Sequence, residues 1–288
     1  VKDPRAALRE AGLRPKRSFG QNFLVAPHAV ERIAQVCIPD DECGKASVIE
    51  VGAGTGILTD ALARRARQVV AIERDRDLIP LLRAAFAEAP HVRVLEADAQ
   101  AELRRAVMDL AQPEAAPSSK PVIAGNLPYQ LTGVLVAESV GLRDEVTRCV
   151  FMVQREVADR LIAVPRTKAY GALSVFVQAA FAPRIVLHVG AGSFHPPPDV
   201  ESAVVLLVPH PVPRAKETEG FRALVRGAFG ARRKTLRNAW KQLFATADEL
   251  ESAARAAGVR LEDRGETLDV EAFAAMAREL TSPSAERP

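Results

Sequence analysis

The most informative short run in this chain is Asn126-Leu-Pro-Tyr129, which closes an apolar stretch, Pro121 to Gly125, of strand character. An aromatic amine is a poor nucleophile, because its lone pair is delocalised into the ring. Two acceptors aimed at its two hydrogens favour a pyramidal nitrogen and free that lone pair for in-line attack. The side-chain oxygen of Asn126 is one such acceptor. Pro128 has no N–H and constrains the turn, so the carbonyl of Leu127 can be the other. Tyr129 offers a flat face for an extruded base, and such stacking is worth about 1–3 kcal/mol. Phe194, in a proline-rich loop, is a candidate for the opposite face of the base, or else a plug that packs the last hairpin. An ordinary strand-end turn also uses Asn, Pro and Tyr, so the surroundings must decide.

Those surroundings look like a nucleotide-type cofactor site. Glu50-Val-Gly-Ala-Gly-Thr-Gly56 follows an apolar strand and opens a helix, where glycines such as Gly52 and Gly54 let the backbone approach a ligand. Glu73 ends the next strand, where a carboxylate can accept both hydroxyls of a ribose. Asp98 follows the third strand, where it can accept a hydrogen bond from an adenine amino group. Ligands of open α/β sheets bind beyond the carboxyl ends of the strands, and all three features lie there. A dinucleotide is the competing ligand, but its fingerprint is GxGxxG and its chain continues into a second nucleotide-binding half. The spacing here is GxGxG, which favours S-adenosylmethionine. A cationic methyl donor needs no strong general base, which accounts for the lack of an obvious His or Cys beside Asn126.

The elements that must position these residues alternate. Strands are expected at Ser47 to Val51, Gln68 to Glu73, Val92 to Glu96, Pro121 to Gly125 and Thr147 to Val153, with helices opening at Pro27, running through Leu58 and Leu62, and spanning Leu78 to Ala87. That alternation predicts a parallel sheet covered on both faces. A helix, Leu173 to Ala180, then precedes two β-rich runs, Arg184 to Val189 and Ala203 to Val208, which bring the expected sheet to seven mostly parallel strands. Pro209, Pro211 and Pro213 mark a boundary. Beyond it helices are expected at Phe221 to Phe229, Arg232 to Phe244 and Glu271 to Leu280, then a disordered tail from Ser282. The predicted organisation is a cofactor-binding domain over 1–210, with a basic N-terminal segment over 1–27, and a small all-helical domain over 211–288.

The bulk composition is permissive. A 288-residue chain that is 48% hydrophobic can bury one large core and a small one. A net charge of +3 allows nucleic-acid binding without requiring it, so the clusters matter more. Arg232, Arg233, Lys234 and Arg237 on a predicted helix, with Lys16 and Arg17 near the N-terminus, are the candidate phosphate contacts; a solvated helix face is the plainer alternative. The three cysteines are scattered, which suggests neither a disulfide framework nor a metal site. There is no membrane-length apolar run and no secretory h-region, so a cytoplasmic, monomeric, metal-free protein is expected.

These motifs carry a resemblance. Lys16-Arg-Ser-Phe-Gly-Gln-Asn-Phe-Leu24, Ile49 to Gly56, Ile72 to Leu78, Asn126 to Tyr129, Gln154 to Val157, Ala169 to Ser174, Phe194 to Val205 and Arg232 to Asn238 appear in the order found in the ribosomal RNA adenine N6,N6-dimethyltransferases, and most closely resemble the bacterial small-subunit (16S) type. The resemblance implies a Rossmann-like class I methyltransferase domain with a helical C-terminal RNA-binding domain. It implies that Asn22 and Leu24 close over S-adenosylmethionine with Gly52, Glu73, Asp98 and Asn126. It further implies dimethylation of two adjacent adenosines in a hairpin near the 3′ end of 16S rRNA, in an immature 30S subunit late in assembly. A large-subunit enzyme of the antibiotic-resistance type shares the tetrapeptide, and a non-catalytic RNA-binding assembly or transcription factor is the rival from another class. The chain departs from the family at Gly52-Ala-Gly54, where GPG is usual, at Gln130-Leu-Thr132 and at His195.

Overall fold

A computed structural model describes residues 1–111, 120–230 and 233–281. The expected tail from Ser282, most of the Pro/Ser-rich loop before Lys120, and Arg232 lie outside the described residues. The chain divides into two compact units, Val1–Ala158 with Pro183–Pro209, and Asp159–Ala182 with His210–Pro288.

The first unit is built on a sheet that has seven strands among the described residues: β1 (Ser47–Val51), β2 (Gln68–Glu73), β3 (Val92–Glu96), β4 (Val122–Asn126), β5 (Arg148–Gln154), β6 (Phe181–Val189) and β7 (Ser202–Pro209). Their order across the sheet is β3-β2-β1-β4-β5-β7-β6. The pairs from β3 through β5 are parallel, and β7 runs antiparallel to β5. Every residue of β1 is buried, as expected of a central strand covered on both faces. On one face Val48, Val122, Val150 and Val204 share a core with Ile33 and Ala34 of α2 (Pro27–Cys37) and with Leu58 and Leu62 of α3 (Ile57–Ala63). On the same face Ala71, two residues beyond Val69 along β2, packs with Ile79 and Leu82 of α4 (Ile79–Ala85). The strand order reverses between β1 and β4, whose carboxyl ends carry the glycine turn and Asn126; such a switch point opens a crevice.

The helical unit corrects the expected cut after residue 210. Its core joins Tyr170 and Val175 to Phe221, Leu224, Trp240 and Phe273, so α8 (Ala172–Ala180) belongs with α9 (Glu219–Gly230) and α12 (Val270–Thr281). Trp240 is fully buried and its indole N–H donates to the Leu224 carbonyl at 2.8 Å. The expected helix from Arg232 to Phe244 is only α10 (Leu236–Trp240). The N–H groups of Leu236 and Arg237 donate to the carbonyls of Asp263 and Leu261, which starts the helix at that point and leaves Arg233 and Lys234 ahead of it.

Candidate active site

The carboxyl ends of β1, β2 and β4 open into a cleft. Its walls include Gly52, Gly54, Glu73, Asp98 and the whole Asn126-Leu-Pro-Tyr129 run, with Asn22 from the N-terminal segment. Gly52 has φ +76°, and a Cβ there would lie 3.6 Å from the Asn126 carbonyl oxygen, so the turn and the tetrapeptide meet at close range. Gly125 is held more tightly still: a Cβ on it would overlap the Val51 carbonyl oxygen. Only glycine lets β4 carry Asn126 to the edge of the cleft along this path.

The two acids behave differently. Glu73 is 6% exposed, and its carboxylate accepts the N–H of Gly54 and the N–H of Asp75, each at 2.8 Å. Burial pushes it above the ordinary carboxylate range, and backbone hydrogen bonds from Asp75, Gly54 and Arg74 oppose the shift. A carboxylate has about four acceptor sites, so these donors do not use them all. Asp98 is open to solvent, caps α5 (Ala99–Leu110) through the Gln100 N–H, and lies 3.5 Å from Arg74.

In the tetrapeptide the Asn126 side-chain amide donates to the Asn22 carbonyl at 2.9 Å. That fixes the amide by its nitrogen and leaves Oδ1 with no donor among the described residues. The Leu127 N–H donates to Met152 on β5 at 3.0 Å, while its carbonyl accepts nothing among the described residues. The Pro128 carbonyl closes the turn by accepting from the Leu131 N–H and the Thr132 hydroxyl. The Tyr129 hydroxyl lies 3.2 Å from the hydroxyl of buried Ser202. Two free acceptors and a tethered aromatic ring thus share one cleft with a buried carboxylate.

A family model described as "Ribosomal RNA adenine dimethylase" matches residues 12–282. The chain belongs to the ribosomal RNA adenine dimethylase family. Among relatives of this dimethylase, one from Geobacter metallireducens named "Ribosomal RNA small subunit methyltransferase A" is 41% identical over 95% of this chain and 98% of its own. A protein of the same name from Myxococcus xanthus is 40% identical over 97% and 96%. Among solved structures, a dimethyladenosine transferase from Plasmodium falciparum shares the fold, with a TM-score of 0.70 and 23% identity over 88% of this chain and 95% of that one. The 23S rRNA methyltransferase ErmE superposes with a TM-score of 0.63 at 26% identity, covering 91% of this chain and all of its own. The fold is accordingly the class I methyltransferase fold, and the family's methyl donor is S-adenosylmethionine. The cleft suits it: a glycine turn at close range, a buried acid with spare acceptor sites, and apolar Val51 and Ile72 between polar groups.

Other expected site residues of this dimethylase lie elsewhere. Leu24 and Phe194 are each 3% exposed and pair across a short antiparallel ribbon in the core beneath the sheet; neither lines the cleft. Phe194 is therefore a core plug in this structure and not an open stacking face. Lys16 is not a spare cation either: it binds Asp75 at 2.5 Å and Asp77 at 2.6 Å, and these bonds raise its pKa. Arg237 binds Glu251 at 2.6 Å and Glu262 at 3.0 Å, so its charge is matched within its own unit. Arg17 starts a short 3₁₀ turn, and Arg233 and Lys234 are exposed. Sequence reasoning missed Phe19 and Arg74, which line the cleft with the Arg74 guanidinium 4.7 Å from the Phe19 ring centre. The conspicuous Phe19-Gly-Gln-Asn22 run was the available signal. Among the described residues no group of His, Cys, Asp and Glu could hold a metal, and no helix is long and apolar enough to cross a membrane.

Proposed function

We propose that this chain dimethylates N6 of two adjacent adenosines in a hairpin near the 3′ end of 16S rRNA, acting as a cytoplasmic monomer on an immature 30S subunit. The support for this substrate is the pair of small-subunit methyltransferases that match it along nearly its whole length. The observation that carries the chemistry is the tether from the Asn126 amide to the Asn22 carbonyl.

S-adenosylmethionine supplies an electrophilic methyl group on a cationic sulfur. Glu73 and Asp98 would hold its ribose and adenine, beside the Gly52–Gly54 turn. The target adenine is drawn out of its stack and lies on Tyr129, whose ring angle is set by Ser202. Its amine gives its two hydrogens to Asn126 Oδ1 and the Leu127 carbonyl, so the lone pair is no longer committed to the ring. Both acceptors are neutral, which suits an amine that becomes cationic at transfer and then loses its proton to water. Among the described residues the cleft walls hold no His, Cys or Lys. Asn126 keeps one amide hydrogen bond to backbone throughout, so its geometry is fixed before the substrate arrives.

The deciding experiment presents unmethylated 30S and 50S subunits separately with labelled S-adenosylmethionine. Incorporation into the small subunit, approaching four methyls each, is expected. Label confined to the large subunit would instead place the chain with enzymes such as ErmE, and cofactor binding without transfer to either would make it a non-catalytic binder.

A further inference from the structure

Several arginines of the helical unit are matched by acids, whereas Arg160, Arg166, Arg226, Arg233, Arg255 and Arg264 are exposed with no acid partner among the described residues. Arg214 pairs with Glu271 at 2.7 Å, Arg222 with Glu217 at 3.0 Å, and Arg237 with two glutamates. Of the unmatched arginines, Arg160 lies in the last turn of α7 (Arg155–Ile162) and Arg226 on α9. Both line one open groove, with Gly171, Ala172, Phe229 and Gly230.

The walls of that groove are fixed. The Ser174 hydroxyl donates to the Arg160 carbonyl at 2.6 Å and accepts the Gly171 N–H at 3.0 Å, which fastens the end of α7 to the start of α8. Phe229 is only half-buried, and its ring packs against Tyr170 and Phe273, each with centroids 5.9 Å away. Two guanidinium groups without an acid partner line the same groove, so an anion seated there can meet both. A guanidinium presents a fork that matches two phosphate oxygens, and a partly exposed ring beside it offers a face to a sugar or base. A polymer with repeated phosphates and flat rings satisfies both features, whereas an acidic protein segment satisfies only the charges.

We propose that the Arg160–Arg226 groove seats phosphates of the substrate RNA and is a principal backbone-binding site of the helical unit. This rests on the reading of the chain as an RNA methyltransferase. Such binding sets affinity and orientation rather than sequence.

The test measures binding of the full chain to unmethylated 30S subunits across a salt series, for wild type, R160A/R226A, R160K/R226K and R222A as a matched control. Removing the cation that engages one phosphate should flatten the slope of log K against log salt by about 0.7–0.9. The double alanine variant is expected to flatten it by about 1.4–1.8 and to weaken binding at least tenfold at low salt. Its turnover at saturating subunit and its cofactor affinity should stay at wild-type levels. The lysine pair should keep the slope, and R222A should match wild type. An unchanged slope and affinity in R160A/R226A, with wild type methylating the same subunits, would overturn the groove while leaving the enzymatic reading intact. Absence of methylation by wild type, with the slope still dependent on both arginines, would do the reverse. Competition by polyglutamate as effective as competition by RNA would overturn the assignment to phosphodiesters.

Discussion

The cleft and the arginine groove treat their polar groups in opposite ways. In the cleft each working group is already held by the protein's own backbone: Glu73 by Gly54 and Asp75, Asn126 by Asn22, Leu127 by Met152. Each keeps an acceptor position in reserve. In the groove the two guanidinium groups have no side-chain partner among the described residues, and only the scaffold beneath them is fixed. The contrast is what the proposed roles of the two regions require. Aligning a lone pair needs atoms placed to a fraction of an ångström, so rotamers are fixed by hydrogen bonds before the substrate binds. Gripping a phosphate chain needs charge more than geometry.

The contrast can be broken most directly at Asn126. Asn126→Ala should lower single-turnover methyl transfer about 10³-fold, the scale of losing one oriented hydrogen-bonding group at a reacting centre. Cofactor affinity, read by calorimetry, should fall less than about tenfold, the scale of one hydrogen bond; equal losses in both would make Asn126 a binding group and remove the proposed alignment. Phe194 sharpens the boundary between site and core. As a buried plug, Phe194→Ala should cost about 3–5 kcal/mol in denaturant unfolding, and Phe194→Leu should restore most of that along with turnover. A stable Phe194→Leu protein with no turnover would return Phe194 to the base. Ser202→Ala should raise KM for the subunit about two- to tenfold, the worth of one hydrogen bond, with kcat nearly unchanged. A fall in kcat alone would contradict a role through Tyr129.

The smallest effect concerns Glu50, which is 1% exposed on β1 and accepts the Thr59 hydroxyl at 2.5 Å. Burial pushes it up to about 8, with Glu73 adding to the shift and the Thr59 bond opposing it; Cys37 is its other titratable neighbour. The unfolded chain releases this proton near the ordinary value of 4.5, whereas the folded chain keeps it until about 8. The resulting stability is full below about 4.5 and is lost as pH rises through about 8. Glu50→Gln abolishes that loss, so its unfolding midpoint should gain on wild type between about pH 5 and 8. A constant gap across that range would show Glu50 to be ionised in the fold.

The same contrast governs what the sequence could reveal. Strand ends are local events: an apolar run, a glycine turn and an acid after each strand are adjacent in the chain, and the topology of parallel sheets carries them to one edge. The cleft was therefore legible nearly residue by residue. Charge pairing is not local. Lys16 meets Asp75 across 59 residues and Arg237 meets Glu251 across 14, and nothing in the run Arg232-Arg-Lys-Thr-Leu-Arg237 distinguishes the arginine that is spoken for from its neighbours. Phe194 was ambiguous because its partner strand is Phe23–Leu24, far back in the chain. The stretch Asp159–Ala182 was assigned to the wrong unit because its apolar face is covered by helices that come much later.

One consequence of Gly125 reaches beyond this structure. What a side chain there would strike is the main-chain carbonyl of Val51, which no choice of surrounding side chains can remove. Randomising codons 124–132 and selecting for methylation should then return a single surviving letter at 125 beside broad variety at exposed Gln130. Attempts to retune the enzyme for other amines have room after the tetrapeptide and none immediately before it.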